Sequence, residues 1–469
     1  MSGRYDCVIT TWRILYVRYG EFSIFNIENS LYSSIHTAYE QPGENVTLTK
    51  KGYMQRIADR RLARMLEVFG AVCVEGPRGC GKTWTSLNMS NSAFMIADPT
   101  DNFANRQLVS NNVEYAFRGD APHLIDEWQE FPHIWDATKI KIDDSRMNGR
   151  FILTGSSTPV NKGVYHSGTG RIGSMRMRTM SLFESGDSDG SVSLASLFDG
   201  ADVFTDIKKV SLEDIIGLTV RGGWPRLIGM DAGSALEVHK DYVMKTVGDA
   251  SRLEGECDET KMTMVFRSLA RNEGTVASNA TIARDVAEFE DETVTDQTVS
   301  KYIDLLKRVF VVEDQPSFNA NARSSVKVGK SPKRRLTDPS LAVAAMGLNE
   351  EKLMRDLRTF GYLFESMCIR DLNIYAEASG GSVYHYRDDK GREADAVVEW
   401  NDGRWGAFEM KTGTDKIDEG VRSLMKVRKV YENQGWPLPE FLCVICGTAP
   451  ASYRRDDGVY VVPITCLGP

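Results

Sequence analysis

The chain has 469 residues, of which 42% are hydrophobic and 26% charged, and its formal net charge is −8. This composition is typical of a globular protein with several domains and excludes a mostly disordered chain. Because the net charge is negative, any surface for nucleic acid must be a local basic patch. No apolar run reaches the roughly 20 residues that span a bilayer. For this reason no membrane partner is expected. Eight scattered cysteines favour a reduced, cytoplasmic protein.

Residues 1–53 show no strong periodicity or motif and are interpreted as an N-terminal extension of uncertain structure. After them, the pattern IADRRLARMLEVFG predicts a helix. Apolar runs then alternate with helical stretches, which indicates a parallel sheet with helices on both faces. The runs that predict its strands are AVCV at 71–74, AFMIAD at 93–98, HLIDE at 123–127 and FILTGSS at 151–157.

The segment GPRGCGKT matches the phosphate-binding loop G-x-x-x-x-G-K-[ST] at every fixed position. A strand that ends in such a turn aims backbone N–H groups, and the positive end of the next helix, at one point. Lys82 is expected to reach the β- and γ-phosphates of ATP, and Thr83 to bind Mg²⁺. The predicted nucleotide-binding residues are Gly76, Pro77, Arg78, Gly79, Cys80, Gly81, Lys82, Thr83 and Trp84.

Three further segments favour ATP hydrolysis over other uses of the loop. In LIDEWQ, we expect Asp126 to hold Mg²⁺ through water and Glu127 to polarise the attacking water, which a kinase does not need. In TGSS, Ser156 is the hydroxyl expected to position the water or contact the γ-phosphate, although an ordinary turn has the same sequence. Arg171, in SGTGRIG, is either a surface arginine or an arginine finger, acting within its own subunit or across a homo-oligomer interface.

Residues 262–336 are predicted to form a winged helix-turn-helix that ends in a basic run. Three helices and a strand are expected over MTMVFRSLARNEG, NATIARDVAEF and VTDQTVSKYIDLLKRVFVVEDQ. The apolar spacing of the third helix predicts a buried stripe of Val299, Ile303, Leu306 and Phe310, with Gln297, Ser300 and Lys301 facing outward.

The basic run comprises Arg323, Lys327, Lys330, Lys333, Arg334 and Arg335. With the outward face of the third helix, it is the candidate surface for duplex DNA, because positive charge near phosphates gives sequence-independent affinity. The alternative is that the winged helix docks the ATPase onto the C-terminal domain and that the basic run is a solvated linker.

Near the C-terminus, EADAVVEW and WGAFEMKTG predict two antiparallel strands that bring Asp395 close to Glu409 and Lys411. Two carboxylates and a backbone carbonyl would suit Mg²⁺ or Mn²⁺, and Lys411 could position or activate a metal-bound water for attack on a phosphodiester. Glu365, on the preceding helix, could complete the metal site. The alternative is that these charges form the solvated face of a hairpin. The pattern is similar to that of PD-(D/E)XK nucleases, with Ala394 in place of the proline.

Taken together, the chain resembles the AAA-type ATPases of bacteria and archaea that carry a C-terminal restriction-endonuclease-like domain. The resemblance covers roughly residues 50–469 and rests on these motifs: GPRGCGKTW, LIDEWQ, ILTGSS, TGRIGSMRMRTMSLFES, GGWP, DPSLA and the C-terminal D…ExK pattern. In such ATPases the Gly-x-Pro element lies near the adenine, which implies that Trp224 and Pro225 lie near the base.

The expected fold is α/β: a P-loop NTPase core with a parallel sheet and a helical lid, then a winged helix domain and an α/β restriction-endonuclease-like domain. The predicted segments are 1–53 (extension), 54–205 (ATPase core), 206–261 (lid), 262–336 (winged helix with basic run) and 337–469 (nuclease-like domain).

The leading hypothesis is an ATP-hydrolysing AAA-type protein that acts on DNA. ATP and Mg²⁺ are its expected ligands, with Mg²⁺ or Mn²⁺ at the C-terminal site. DNA and a second copy of the chain are its candidate macromolecular partners. The runner-up is an ATP-dependent switch or scaffold whose C-terminal domain binds DNA or a protein without cleaving. A small-molecule kinase is disfavoured by Asp126 and Glu127 and by the winged helix.

Overall fold

The structure is a computed structural model that describes residues 52–158, 164–206, 210–255, 257–318 and 331–469, together with two backbone strands at 13–18 and 21–26. It divides into two compact units. The first unit comprises Met1–Gly76 and Gly81–Met177, and the second comprises Pro77–Cys80 and Arg178–Pro469. Among the described residues, no helix is long and apolar enough to cross a membrane.

The first unit is built on a seven-stranded sheet in the order β2-β1-β4-β5-β6-β3-β7. All of its pairs are parallel except that between β1 and β2. Its elements are β1 (Arg13–Arg18), β2 (Glu21–Asn26), α1 (Ala58–Val68), β3 (Ala71–Glu75), α2 (Lys82–Asn88), β4 (Ser92–Met95), α3 (Thr100–Asn111), β5 (His123–Asp126), α4 (His133–Ser145), β6 (Phe151–Gly155) and β7 (Ile172–Arg176).

The central strands of this sheet are apolar along their length because helices cover them. Every residue of β5 and β6 is buried, as are the first four residues of β3. This is the pattern of a parallel sheet covered on both faces, as predicted from the continuous apolar runs. Since β6 lies between β3 and β5, the carboxyl ends of all three strands lie along one edge.

The second unit contains a helical region followed by a second seven-stranded sheet, in the order β12-β13-β14-β15-β17-β16-β9. The elements up to the hairpin are β8 (Val192–Ser193), α5 (Leu194–Phe198), β9 (Thr205–Asp206), α6 (Leu212–Arg221), α7 (Ala232–Ser251), α8 (Glu259–Arg271), α9 (Asn279–Phe289), α10 (Asp296–Arg308), β10 (Val312–Gln315) and β11 (Lys333–Leu336). The remaining elements are α11 (Pro339–Ala345), α12 (Glu350–Arg355), α13 (Leu357–Ala378), β12 (Ser382–Arg387), β13 (Glu393–Glu399), β14 (Trp405–Lys411), α14 (Ile417–Gln434), β15 (Phe441–Cys446), β16 (Ala451–Arg454), β17 (Tyr460–Pro463) and β18 (Leu467–Gly468).

Helix α10 has the predicted orientation. Val299, Ile303 and Leu306 of its predicted stripe are buried, and Gln297 and Lys301 are exposed, with Ser300 half-buried. Phe310 is buried as well, but the prediction that it lies on this helix was wrong, because α10 ends at Arg308 and Phe310 has φ +62°. Tyr302 and Leu305 are buried as well, so the apolar face is wider than the sequence pattern indicated. After α10, strands β10 and β11 pair as an antiparallel hairpin.

The basic run does not form one exposed patch. Arg323, Lys327 and Lys330 lie outside the described residues. Lys333 and Arg335 are buried, each with only 5% of the side chain exposed. The prediction that these two residues form part of a DNA-contacting surface was therefore wrong. Their side chains lie on the face of the strand that packs against the protein interior, so they cannot contact the phosphate backbone of a bound DNA.

The C-terminal sheet is covered by α13, which packs on β12, β13 and β14, and by α14, which packs on β13, β14 and β15. Strand β14 pairs antiparallel with β13 and parallel with β15. The order along the chain is therefore helix, three antiparallel strands, helix and a parallel strand. Cys443 and Cys446, on β15, are buried free thiols, as expected for a core strand.

Candidate functional site: a phosphate loop and two acidic clusters

The phosphate loop connects β3 to α2. Gly79 and Gly81 have φ of +77° and +105°, a backbone region in which other residues are strained, so glycine is required at both positions. Lys82 begins α2 and is buried, and its Nζ donates a hydrogen bond to the carbonyl oxygen of Gly76 at 2.8 Å. The lysine is thus folded back over the loop, the location from which it can reach a bound phosphate.

Asp126 ends β5 and is held by two hydroxyl groups. Thr83 Oγ1, from the loop, donates to Asp126 Oδ1 at 2.8 Å, and Thr154 Oγ1, from β6, donates to the same oxygen at 2.6 Å. Burial raises the pKa of Asp126 above its ordinary value, and the two hydroxyl bonds oppose that shift. Thr83 and Asp126 therefore offer adjacent oxygen ligands, the donor type that Mg²⁺ prefers.

Glu127 lies in a turn directly after β5 with φ +60° and ψ +45°, a left-handed conformation that is uncommon for residues other than glycine. Its backbone N–H donates to Thr154 Oγ1 at 3.1 Å, which fixes this turn against β6. Its carboxylate accepts hydrogen bonds from Ser156 Oγ at 2.9 Å and from the amide of Gln129. Local backbone strain of this kind tends to accumulate at functional sites.

The structure thus brings together Lys82, Thr83, Asp126, Glu127 and Ser156 at the carboxyl edge of the sheet. Sequence reasoning missed Thr154 and Gln129, which hold the two carboxylates. Both lie within motifs already recognised, LIDEWQ and TGSS. The available signal was that β5 and β6 are neighbouring strands, whose ends face each other.

Arg171 lies elsewhere. It directly precedes β7, which runs parallel to β3 with Ile172 opposite Ala71, and the Ala71 N–H donates to its carbonyl at 3.2 Å. The phosphate loop follows the other end of β3. The Arg171 side chain pairs with Asp143 at 2.9 Å and is 49% exposed. Arg171 therefore does not lie beside the phosphate loop of its own chain, and its role as an arginine finger, within its own subunit or across an interface, stays a prediction.

The tip of the phosphate loop, Pro77–Cys80, belongs to the second unit. Trp224 is buried, and a side chain placed on Gly79 would meet its ring at 3.8 Å. Arg78 pairs with Asp249 of α7 at 2.6 Å, and its carbonyl accepts a hydrogen bond from Tyr242 at 3.0 Å. Trp224 therefore lies beside Gly79. The expected contact of Trp224 and the half-buried Pro225 with a nucleotide base stays a prediction, as do those of Pro77, Cys80 and the exposed Trp84 with the nucleotide.

The C-terminal acidic residues also come together. Asp395 of β13 accepts a hydrogen bond from the Met410 backbone N–H at 2.9 Å. Glu409 of β14 is buried and pairs with Lys411 at 2.8 Å. Burial, and then the charge of Glu365, raises the pKa of Asp395 to about 6, and burial, with the charge of Asp395, raises that of Glu409 well above its usual range.

Glu365, from α13, is paired with two cations of β11. Its carboxylate contacts Lys333 Nζ at 3.1 Å and also the guanidinium of Arg335. Burial raises the pKa of Glu365, but Arg335 and Lys333 more than offset this effect and hold it below the ordinary value. Within the described residues, no group of three or more His, Cys, Asp or Glu side chains is arranged to hold a metal ion. As placed, this donor set does not fit a divalent cation.

Comparison with known families identifies three adjacent segments. An AAA domain model matches residues 69–185, and models of two domains of unknown function match residues 212–352 (DUF8612) and 360–467 (DUF4143). The similarity to the AAA domain covers the phosphate loop and both acidic residues of LIDEWQ. Residues 69–185 therefore form an AAA-type P-loop ATPase domain, a class that binds nucleotide and usually Mg²⁺.

The chain is 24% identical over 381 residues to uncharacterised proteins of Mycobacterium tuberculosis (Rv2008c) and Mycobacterium bovis (Mb2031c), covering 79% of this chain and 77% of each relative. Among solved structures, it resembles the Walker-type ATPase PABY2304 of Pyrococcus abyssi, with TM-score 0.39, 14% identity, and coverage of 61% of this chain and 94% of that one. A second similarity is to the replication initiator DnaA bound to AMPPCP and single-stranded DNA, with TM-score 0.25, 15% identity, and coverage of 54% and 88%. Similarities this weak do not define a function.

Proposed function

We propose that the protein hydrolyses ATP at the edge of its first sheet. The observation that supports this most strongly is the pair of adjacent carboxylates, Asp126 and Glu127, where β5 ends, each of which accepts hydrogen bonds from neighbouring side chains. The hydroxyl of Thr83, in the loop, donates a hydrogen bond to Asp126, and the hydroxyl of Ser156 donates one to Glu127. A kinase needs the first carboxylate for its metal but has no use for a second that polarises water.

In this proposal each residue has a separate task. Lys82 and the loop N–H groups would bind the β- and γ-phosphates, and Thr83 and Asp126 would hold Mg²⁺, which would supply positive charge beside the phosphates. Glu127 accepts a hydrogen bond from the attacking water and orients it, and Ser156 fixes the carboxylate in that position.

The test is phosphate release by purified protein with Mg²⁺ and ATP. We expect Glu127→Gln to retain nucleotide binding but to lower turnover at least about 100-fold, because a positioned general base contributes roughly 10²- to 10⁴-fold. Lys82→Ala is expected to weaken nucleotide binding as well. Glu130→Gln is the matched control, since Glu130 is an exposed acid of the same segment that pairs with Arg106. Turnover by Glu127→Gln equal to that of the parent would contradict the proposal.

The finer proposal is that ATP hydrolysis serves an action on DNA. Its support is the succession of α8, α9, α10 and the β10–β11 hairpin, which has the order of a winged helix, with Gln297 and Lys301 exposed on α10. The same face also carries Asp304 and the Arg308–Glu254 ion pair, so its charge is mixed. Lys301→Glu should weaken duplex binding at low salt at least tenfold, and an unchanged affinity would remove α10 from the interface.

The runner-up is an ATP-dependent switch or scaffold whose C-terminal domain does not cleave. The helix–three strands–helix–strand order of that domain suits a restriction-endonuclease-like fold, but Lys333, Arg335 and Lys411 neutralise its carboxylates. That observation favours the non-cleaving alternative over a Mg²⁺- or Mn²⁺-dependent nuclease. A Mn²⁺-dependent DNA-nicking activity that is lost in Asp395→Ala would instead support the nuclease hypothesis.

A further inference from the structure

Two cationic side chains of strand β11, Lys333 and Arg335, lie on the same, inward-facing side of the strand. Its sequence is KRRL, and side chains of a strand alternate between its two faces. Lys333 and Arg335 point inward, whereas Arg334 points away and donates to the Ala277 carbonyl and to Asn279 Oδ1, each at 2.9 Å. The same short strand therefore contains both the residues of interest and a matched control.

Lys333 bridges two carboxylates. Its Nζ lies 3.1 Å from Glu365 Oε1 and 2.9 Å from Glu393 Oε1, and the negative charge of Asp395 acts on it as well. Burying an ammonium group is costly unless its charge is compensated, and here several acids provide that compensation. A divalent cation in the same location would use the same oxygen atoms, so the ammonium group and a metal compete for one site.

Arg335 contacts the same carboxylate oxygen of Glu365, Oε1, as Lys333 does. Its guanidinium contacts the carboxylate, and it also donates to Ser366 Oγ at 2.7 Å and to Gln315 Oε1 at 2.9 Å. Every one of these partners is itself fixed. Ser366, for example, donates to Glu273 Oε1 at 2.8 Å. The two cations are thus part of a connected buried network and not of a chance surface contact.

Several contacts attach the hairpin that carries these cations, and the residues next to it, to the C-terminal sheet. Gln315 donates to the carbonyls of Tyr384 and Asp395 at 2.9 and 3.0 Å. A His385 ring nitrogen lies 3.1 Å from the Ser331 carbonyl. Phe318 is buried in the C-terminal hydrophobic core. These contacts hold β11 in register with the carboxylates, so Lys333 stays where a metal would otherwise bind.

We propose that Lys333 is a built-in substitute for a divalent cation in the C-terminal carboxylate site, and that this site binds a metal ion only when Lys333 is removed or withdrawn. The proposal rests on the part of the proposed function that gives the C-terminal domain a nuclease-like carboxylate site, and it is independent of ATP hydrolysis. Its consequence is that the domain does not cleave DNA by metal chemistry while β11 is docked.

The experiment is a titration of nucleotide-free, chelator-treated full-length protein with MnCl₂, followed by the electron paramagnetic resonance signal of free Mn²⁺. The parent should show no Asp395-dependent site at submillimolar Mn²⁺. Lys333→Met keeps the length of the side chain but removes its charge, and it should bind one Mn²⁺ at least tenfold more tightly. The double variant with Asp395→Asn should lose that site, and Arg334→Met should behave like the parent.

Two outcomes would overturn the proposal. One is a parent protein that already binds Mn²⁺ through Asp395 as tightly as Lys333→Met does. The other is a Lys333→Met protein that has the parent's circular dichroism spectrum and ATP turnover but gains no Mn²⁺ site. If this variant does not fold, the parent still provides a test. A melting temperature that rises with Mn²⁺ in the parent, but not in Asp395→Asn, would show that metal and ammonium coexist.

Failure of the proposed function would be seen in different measurements. A parent without ATP turnover would leave the Mn²⁺ titration unaffected. If Lys333→Met gains the Mn²⁺ site but does not nick DNA, the proposal that Lys333 takes the place of a metal ion stands. The assignment of the domain as a nuclease then fails.

Discussion

The two acidic sites of the molecule are both built from carboxylates, but different groups contact these carboxylates and compensate their negative charge. At the end of β5, the carboxylates of Asp126 and Glu127 accept hydrogen bonds from hydroxyl and side-chain amide groups, which carry no net charge. In the C-terminal domain, Glu365 and Glu409 are each paired with a cation of the chain itself. A carboxylate held by neutral donors keeps its charge for a metal, whereas one paired with an ammonium or guanidinium group does not.

Asp126→Asn gives the largest expected effect on this comparison. The amide keeps one oxygen for the hydroxyls of Thr83 and Thr154 but removes the charge that Mg²⁺ needs. Turnover should fall roughly 10³-fold, since charge stabilisation by a metal ion is worth several kcal/mol. Phosphate release with Mg²⁺ measures this effect, and Asp144→Asn, which changes an exposed acid on α4, is the control. A loss below threefold would mean that Asp126 is not the metal-holding carboxylate.

Much of the first site could be predicted from sequence because its signals are local. Continuous apolar runs marked β3, β5 and β6, and their ends placed Asp126 and Glu127 beside the loop. The role of Thr154 was not visible, because it depends on which residues of neighbouring strands face each other. The position of Arg171 depends similarly on the pairing of β7 with β3, which brings it to the end of the sheet remote from the loop.

The C-terminal site was harder to predict because its decisive contacts are long-range. Asp395, Glu409 and Lys411 were found from a local pattern on adjoining strands, and the structure brings them together. Lys333 and Arg335 were predicted to lie in an exposed basic run, either on a DNA-contacting surface or in a solvated linker, since charged residues are rarely buried without partners. Their partner, Glu365, is about thirty residues further along the chain, and nothing in the local sequence indicates that pairing.

Removing one of the internal cations should cost stability rather than turnover. Arg335→Met leaves a buried carboxylate and two polar partners with one donor fewer, and breaking a buried pair of this kind costs about 3 kcal/mol. Arg334→Met, on the outer face of the same strand, should cost about 1 kcal/mol for its hydrogen bonds. Urea unfolding monitored by circular dichroism compares the two variants. Equal losses would mean that the inward cations do not compensate the carboxylates.

The raised pKa of Asp395 predicts a smaller effect that depends on pH. Its pKa is about 6 when folded, against an ordinary value of 3.8, so the folded protein binds the proton more tightly. That contribution to stability is complete below the unfolded pKa and is lost as pH rises through 6. Asp395→Asn cannot ionise, so relative to the parent it should gain roughly 2 kcal/mol between pH 4 and pH 7.

Urea unfolding of both proteins across this pH range tests the sign. Asp389→Asn, an exposed acid in the turn before β13, is the control and should follow the parent. A difference between Asp395→Asn and the parent that is independent of pH would mean that the aspartate is ionised throughout. The carboxylate would then be better compensated by Lys333 and Lys411 than its burial indicates.

The smallest effect is expected from the substitution of Arg171. Measurements of turnover can distinguish a surface arginine from an arginine finger supplied to another subunit, whereas stability alone cannot. Its ion pair with Asp143 is exposed to solvent, so Arg171→Ala should change stability very little. Because it lies at the opposite end of β3 from the loop, turnover at concentrations where the chain is monomeric should not change. A finger supplied by one subunit to another would instead lower turnover only as the concentration rises and subunits associate. Turnover measured across a dilution series therefore distinguishes the roles, and a loss that is equal at all concentrations would mean that Arg171 acts on its own subunit after all.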